Sequence, residues 1–266
     1  MPGNFLPIAF KNAGLLLEEA LPVVLQSSPK LRSYEFICLQ YRRLAVGSLL
    51  MSAEPTDFFS YLSCSARAFL HFLGAAPQEE KLTSRSTAFF DALACRDSDA
   101  IAGIATSSPR EANTKREYEE DFLHLRVAMD LATTAADATE LQALVDAYAA
   151  AAAGQDDPAL PVCQALVGGQ TDDVVRAIRA GAASRQSQLR EQLLADQLDA
   201  DDAPTTARVS TEVLGWIELA ARRGVEIRGE VPLAPSVARI FDALPPIDPN
   251  AWTTCASFRQ LRGPSE

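Results

Sequence analysis

The chain has few of the residue types and motifs that usually mark chemistry. It holds two histidines and five scattered cysteines, no two of which are closer than 26 residues. Without a Cys-x-x-Cys pair, structural zinc sites and thioredoxin-like redox motifs are excluded. The sequence also lacks a Gly-x-Ser-x-Gly elbow, a Gly-rich phosphate loop and a His-Glu-x-x-His motif. This shortage favours a binding protein over an enzyme and gives no reason to expect a metal or another cofactor.

Long apolar runs are also missing. No run approaches the roughly 20 residues that a membrane-spanning helix needs, so we expect no membrane association. The N-terminal apolar stretch has no basic region before it and is interrupted by Glu18 and Glu19, so we expect no signal peptide. Most of the cysteines lie in apolar surroundings, which indicates buried thiols in a reducing compartment and predicts a cytoplasmic protein. The cysteines are Cys38, Cys64, Cys95, Cys163 and Cys255.

Charge is distributed unevenly along the chain. There are 24 Lys/Arg and 35 Asp/Glu residues, which give a net charge of −11. Residues 1–110 hold 10 of each sign, so the whole negative excess lies after residue 110. Nucleic-acid binding needs clustered basic residues, and we therefore expect no nucleic-acid ligand. An acidic surface suits a basic protein partner, because complementary fields speed association, although acidity alone also keeps a protein soluble.

Apolar periodicity predicts helix after helix. Ala and Leu dominate the hydrophobic fraction of 48%, which favours helix because unbranched side chains lose little rotamer freedom there. The only strand-like segment, residues 225–229, is too short and isolated to build a sheet. The predicted helices cover residues 31–51, 55–74, 79–97, a short one capped by Ser98, 113–132 with Asn113 or Thr114 as the cap, 137–154, 156–169, 171–182, 184–202 and 206–224.

Two stretches nearly repeat, 73 residues apart. They read DALACRDSDAIAGIA at residues 91–105 and QALVGGQTDDVVRAI at residues 164–178. Each has Ala-Leu, four turn-prone residues, and then Ser-Asp or Thr-Asp before a new apolar run. Ser98 and Thr171 can cap the second helix, and the Asp that follows each one favours the helix dipole. Each stretch therefore predicts a helical hairpin whose apolar side must be buried by another element.

The simplest architecture is all-α, a stack of antiparallel helical hairpins with two loosely repeated halves, because a long helix follows each hairpin. Two copies leave both a helical-repeat array and a compact helical domain open. We predict a single helical domain over residues 1–244, divisible into 1–108 and 109–244. Residues 245–266 form a Pro-rich tail, which we expect to lie over the surface, held by the ring of Trp252.

One histidine stands among acidic residues. Glu120 and Asp121 precede His124 by four and three residues. Glu117 precedes it by seven, so the predicted helix places all of them on one side. An acid three residues before a histidine is a ligand pattern of helical carboxylate metal sites, but His71 has no acid at the corresponding positions to supply the second copy. A solvated acidic face with one half-buried imidazole is the plainer interpretation, and an enzyme with a carboxylate-based site stays open as an alternative.

Three stretches together resemble a known family. FFDALACRDSDAIAGIA, EYEEDFLHLRVAMDL and LGWIELAARRGVEIRGEVPLAP are similar to the helical immunity proteins of bacterial polymorphic toxin systems, specifically the immunity protein 49 family, over about residues 85–240. In that family a helical hairpin precedes an acidic helix, and an Ala- and Arg-rich helix runs into a Gly and a short extended piece with a Pro. The resemblance implies an all-helical, non-enzymatic inhibitor of a toxin delivered by a contact-dependent or type VI-like system.

The resemblance implies cytoplasmic binding of the cognate toxin and blockage of its active site, but it assigns no contact residues. We hypothesise that carboxylates occupy a basic groove on the toxin. A helical-repeat scaffold or regulatory protein-binding module unrelated to toxins is the alternative. The candidate partner-binding residues form two acidic clusters, Glu117, Glu119, Glu120 and Asp121, and Asp196, Asp199, Asp201 and Asp202, with Asp156 and Asp157 as neighbours of the second.

Overall fold

A computed structural model describes residues 5–133, 137–240 and 248–254, and within these ranges the chain is all-α, as predicted. No strand forms in the described residues; segment 225–229 is strand-free, and an isolated bridge joins Val231 to Ala234. None of the described helices is both long and apolar enough to span a bilayer. The helices are α1 (Leu6–Gln26), α2 (Leu31–Ser52), α3 (Pro55–Ala75), α4 (Ala88–Ala94), α5 (Ser98–Ser107), α6 (Glu119–Ala132), α7 (Ala138–Ala151), α8 (Leu160–Gly168), α9 (Thr171–Leu194) and α10 (Thr211–Arg222).

The first three helices form an antiparallel layer in which α2 packs against both α1 and α3. Helix α1 was absent from the sequence prediction, although its apolar residues recur every three or four positions and face α2. A close approach joins the two helices at Gly47, where a Cβ atom would lie 2.6 Å from Cδ2 of Phe10. The buried side of α1 consists of Ala9, Phe10, Ala13, Gly14, Leu17, Leu21 and Val24.

Both copies of the repeat form helical hairpins, α4 with α5 and α8 with α9. Helix α10 packs against α4, α8 and α9, and α6 packs against α5 and α8, so these two helices join the hairpins. One apolar core extends from α1 to Trp252, and it includes buried residues of every helix. The hairpins therefore share one interior. The division into residues 1–108 and 109–244 stays a prediction.

The helix caps differ from the prediction. Asp97, not Ser98, caps α5, because its carboxylate accepts a hydrogen bond from the backbone N–H of Ala100 at 3.1 Å. In the second copy the cap position is Gln170, which makes no side-chain capping bond, and Thr171 is the first helical residue. In both copies the observed cap position is one residue before the predicted one.

Several predicted boundaries are wrong. The helix predicted over 79–97 is replaced by 3-10 turns at 78–80 and 83–85 before α4 begins. Helix α6 begins at Glu119 instead of residue 113, because the Glu117 carboxylate accepts bonds from the N–H groups of Asn113 (2.7 Å) and Ser84 (2.9 Å) and holds a turn there.

Two more boundaries differ near the C-terminal half. Helix α9 is continuous where two helices were predicted. Gly181 at the expected break permits close contact with α8, since a Cβ there would lie 3.1 Å from Cγ2 of Val162 and 2.8 Å from the carbonyl oxygen of Pro158 just before that helix. Helix α10 begins at Thr211 instead of residue 206, with the hydroxyl of Ser210 accepting from the N–H of Val213 at 3.3 Å.

Trp252 in the tail is buried against the first layer. Its ring centroid lies 5.0 Å from that of His71 and 6.0 Å from that of Tyr34, and the Tyr41 hydroxyl donates to its carbonyl oxygen at 2.6 Å. The Tyr34 hydroxyl and His71 Nδ1 are 2.9 Å apart. The four cysteines in the described ranges are buried as expected, and Cys255 lies outside them.

Candidate functional site

An open groove of about 680 Å³ lies between α2, α6, α9 and the segment that leads into α10. Helix α2 contributes residues 35, 39, 42 and 46, and α9 contributes residues 185, 188, 189 and 192, so each helix presents one face to the groove. The apolar part of the lining comprises Leu39, Val46, Phe90, Leu125, Leu189 and Val209. The charged part comprises Glu35, Arg42, Arg85, Asp121, Arg185 and Glu212, with His124 beside them.

The three arginines of the groove each have a carboxylate partner. Arg85 Nε lies 2.5 Å from Glu35 Oε1, and Arg185 Nη2 lies 2.8 Å from Glu212 Oε2. Arg42 pairs with Asp91, which lies behind the groove. The positive charge of the lining is therefore matched inside the protein.

The Arg42–Asp91 pair anchors the base of the groove. Arg42 Nε lies 2.6 Å from Oδ2 of Asp91, a side chain that is 0% exposed. The hydroxyl of Ser65 donates to the same oxygen at 2.6 Å, and Arg42 also donates to Thr87 Oγ1 at 3.0 Å. The pair thereby ties α2, α3 and α4 together. Nothing in the sequence pattern singled out either residue, because their 49-residue separation is closed only by the tertiary fold.

Asp121 differs from the other charged residues of the groove. Within the described residues, no hydrogen bond or ion pair holds its carboxylate. Burial and the neighbouring Glu120 carboxylate raise the pKa of Asp121, and the opposing effects of His124 and Arg85 are smaller. Asp121 was one of the predicted partner-binding residues, and it is the one that lines the groove.

His124 stands beside Asp121 and is mostly enclosed by rings. Its ring centroid is 5.5 Å from that of Phe90 and 6.0 Å from that of Tyr148. Its Nε2 is buried without a hydrogen-bond partner and lies 3.6 Å from Glu212 Oε1. In the described part of the chain, no group of three or more His, Cys, Asp or Glu residues could hold a metal ion.

The first predicted acidic cluster lies around the start of α6. One of its members, Glu117, binds backbone N–H groups before the helix. Glu117 is outside the helix and holds the preceding turn, as described above. Gln155 donates to Glu120 Oε1 at 2.9 Å, which brings the loop of Asp156 and Asp157 to this end of α6. The Tyr148 hydroxyl and the N–H of Ala159 donate to Asp157. The contacts thus place Asp157 with the first cluster, whereas the sequence analysis placed it with the second.

The second predicted acidic cluster surrounds an arginine that the sequence analysis did not single out. Arg43 lies 2.8 Å from both Asp199 Oδ1 and Asp202 Oδ1 and 3.9 Å from Asp201 Oδ2. Asn12 of α1 donates to Asp201 at 3.1 Å. Asp199 is 59% exposed, but Asp201 and Asp202 are only 19% and 23% exposed. The cluster therefore fastens the 199–202 loop to α1 and α2. Asp196 is exposed with a positive φ of 54°.

The family model of immunity protein 49 matches residues 40–238 of the chain. The match begins in α2 and runs past α10, so it extends further toward the N-terminus than the resemblance noted over residues 85–240. No curated protein and no solved structure matches the chain. Because the match covers most of the sequence, the chain belongs to the immunity protein 49 family.

Proposed function

We propose that the protein binds a cognate bacterial toxin domain in the cytoplasm and neutralises it by covering the toxin's active site. The observation that carries this proposal is the family match over residues 40–238, which includes the second part of α2 and every helix from α3 to α10. The mechanism is stoichiometric binding, so the relevant quantities are affinity and the surface buried on the toxin.

We propose further that the partner surface is acidic and centred on the start of α6. Tyr118, 74% exposed, stands among Glu119, Glu120 and Asp121, and Asp156 is exposed on the adjoining loop. An exposed aromatic ring is a typical anchor of protein interfaces, and the carboxylates around it suit a basic partner. Such a partner could be a toxin whose own groove binds nucleic-acid phosphate. Exposed Asp196 and Asp199 would add to the field that steers association.

The groove also bears on the enzyme alternative. Its arginines are paired with carboxylates inside the protein, and the imidazole of His124 is enclosed between Phe90 and Tyr148, an arrangement that supports a recognition surface more than an acid–base centre. The alternative function as a scaffold would use the same helical surface as the immunity function but would bind a different partner. It predicts binding to a protein unconnected with any toxin.

Co-expression tests the function directly. A polymorphic-toxin C-terminal domain, sought in the genes that flank this one, is expressed with and without the protein, and growth and co-purification are scored. We expect the toxin domain alone to stop growth, and the protein to restore growth and to co-purify with the domain. Growth arrest that persists in the presence of well-expressed protein, with no complex, would refute the proposed function.

A further inference from the structure

The groove described above is open, partly apolar and large enough to admit side chains of a partner. Leu125 and Leu189 line it from opposite helices, and Leu39 lines it from α2. The carboxylate of Asp121 stands at its α6 wall. A long aliphatic side chain that ends in a positive charge has the matching character, because its stem is apolar and its head is cationic.

Within the part of the chain that the structure describes, one carboxylate that lines the groove, that of Asp121, has no counter-charge. Glu35 and Glu212 are matched by Arg85 and Arg185, and Arg42 is matched by the buried Asp91. Among the described residues, Asp121 has neither an ion pair nor a hydrogen bond. Asp121 is exposed and lines the groove, so its carboxylate is available to a cation that enters from solvent.

The carboxylates around Asp121 also favour a cationic occupant. Glu120 and Asp157 lie close enough to Asp121 to raise its pKa together with burial, so the potential at this wall is negative. The free protein therefore presents unmatched negative charge at this wall of the groove.

We propose that this groove receives a lysine or arginine side chain of the toxin, whose aliphatic stem packs on the apolar lining and whose cationic head pairs with Asp121. The proposal rests on the proposed function and specifies where and by what chemistry the partner is held. Because the pair forms inside a groove, it slows dissociation, whereas the exposed carboxylates around Tyr118 act on the rate of encounter.

Kinetic binding measurements with matched variants test this. The full-length protein is titrated with the toxin domain encoded by the neighbouring gene, carrying an inactivating substitution. Asp121→Asn is expected to weaken binding by about thirtyfold or more, chiefly through faster dissociation. Asp99→Asn removes the same charge from the first turn of another helix, α5, and is expected to leave the Kd within about twofold. Wild-type dissociation kinetics for Asp121→Asn would overturn the proposal.

A second pair of variants probes the volume of the groove without changing charge. Gln188→Trp fills the groove from α9, and Gln186→Trp places the same ring on the exposed side of that helix. We expect only the first to weaken binding, with unchanged helical content by circular dichroism for both. Equal affinity for Gln188→Trp and Gln186→Trp would refute insertion into the groove.

Two outcomes separate this inference from the function on which it rests. If both groove variants bind normally and still protect cells, the groove assignment is wrong and the immunity function stands. If the wild-type protein neither binds the toxin domain nor protects cells, the function itself is wrong, and the groove assignment falls with it. If Asp121→Asn and Glu119→Gln weaken binding equally, and only by slowing association, the effect belongs to the acidic surface around Tyr118. That result would refute the proposal that a toxin side chain enters the groove.

Discussion

Arg96 and Gly169 occupy equivalent positions in the two helical hairpins, and both have a left-handed backbone, with φ of 55° and 81°. Each follows the end of the first helix by one or two positions and precedes the first residue of the second helix by two positions. The near-repeat of the sequence thus encodes the same turn twice, once with glycine and once with arginine. Left-handed geometry is strained for a residue with a Cβ atom. The two turns are therefore alike in shape, but the turn at Arg96 has the higher conformational free energy.

Gly169→Ala is expected to lower the free energy of unfolding by about 1 kcal/mol, because alanine is strained at this positive φ. Its neighbour Gly168 is the matched control, since it is the last helical residue of α8 and an added Cβ would meet nothing within 4 Å. Gly168→Ala is expected to raise stability by about 0.5–1 kcal/mol through helix propensity. Urea unfolding of the two variants measures the effects, and the same sign for both would contradict the prediction.

Local patterns were enough to predict the all-α fold and both hairpins, because turn chemistry and apolar spacing act over a few residues. They failed where a distant residue decides the local structure. Glu117 ends a turn instead of continuing a helix because it binds the backbone of Ser84. Gly181 resembles a helix end in sequence, yet in the structure it is the contact point that lets α9 pass close to α8.

The candidate site was predictable only in part, for the same reason. Asp121 stood out because it belongs to a dense acidic run, which is visible in sequence. The groove that it lines could not be predicted from the sequence, because Arg42, Arg185 and Glu212 line it from three different helices. The Asp199–Asp202 run was equally conspicuous, but its partner Arg43 lies about 156 residues away, and no pattern connects them.

Asp91→Asn is expected to lower the free energy of unfolding by about 3 kcal/mol. The substitution keeps the size of the side chain but leaves the partly buried Arg42 without its counter-charge, and breaking one half of a buried pair is strongly destabilising. Denaturant unfolding monitored by far-UV circular dichroism measures the loss. Asp146→Asn, on the exposed side of α7, is the control and should change stability by less than about 0.5 kcal/mol. Similar small effects for both would refute a structural role for the pair.

Arg43→Leu is expected to lower the free energy of unfolding by about 2 kcal/mol, because Asp201 and Asp202 would keep their charges half-buried without a cation. The loss should be smaller than for a fully enclosed pair, since solvent reaches Asp199 and screens the cluster. Arg176→Leu is the control, since its partner Asp173 and the arginine itself are largely exposed, and a change below about 0.5 kcal/mol is expected. Equal losses in chemical denaturation would show that the Arg43 cluster does not fasten the 199–202 loop.

Asp121→Asn is expected to raise stability at neutral pH. Because the pKa of Asp121 is raised above its ordinary value of 3.8, the folded state holds that proton more tightly than the unfolded state does. By linkage, the free energy of unfolding falls as the pH rises through the interval between the ordinary and the raised pKa, and it stays lowered above that interval. Removing the carboxylate abolishes this loss.

The pH dependence of the melting temperature separates this effect from general repacking. The variant should melt at a higher temperature than the wild type at pH 7, and the difference should vanish below the ordinary aspartate pKa, where the wild-type carboxyl is also neutral. Asp99→Asn should show no such gain, because it loses only a favourable interaction with a helix N-terminus. A wild type that is more stable than Asp121→Asn at pH 7 would contradict the prediction. A gain in stability combined with weaker toxin binding is the expected mark of a carboxylate kept for its partner at the expense of the free protein.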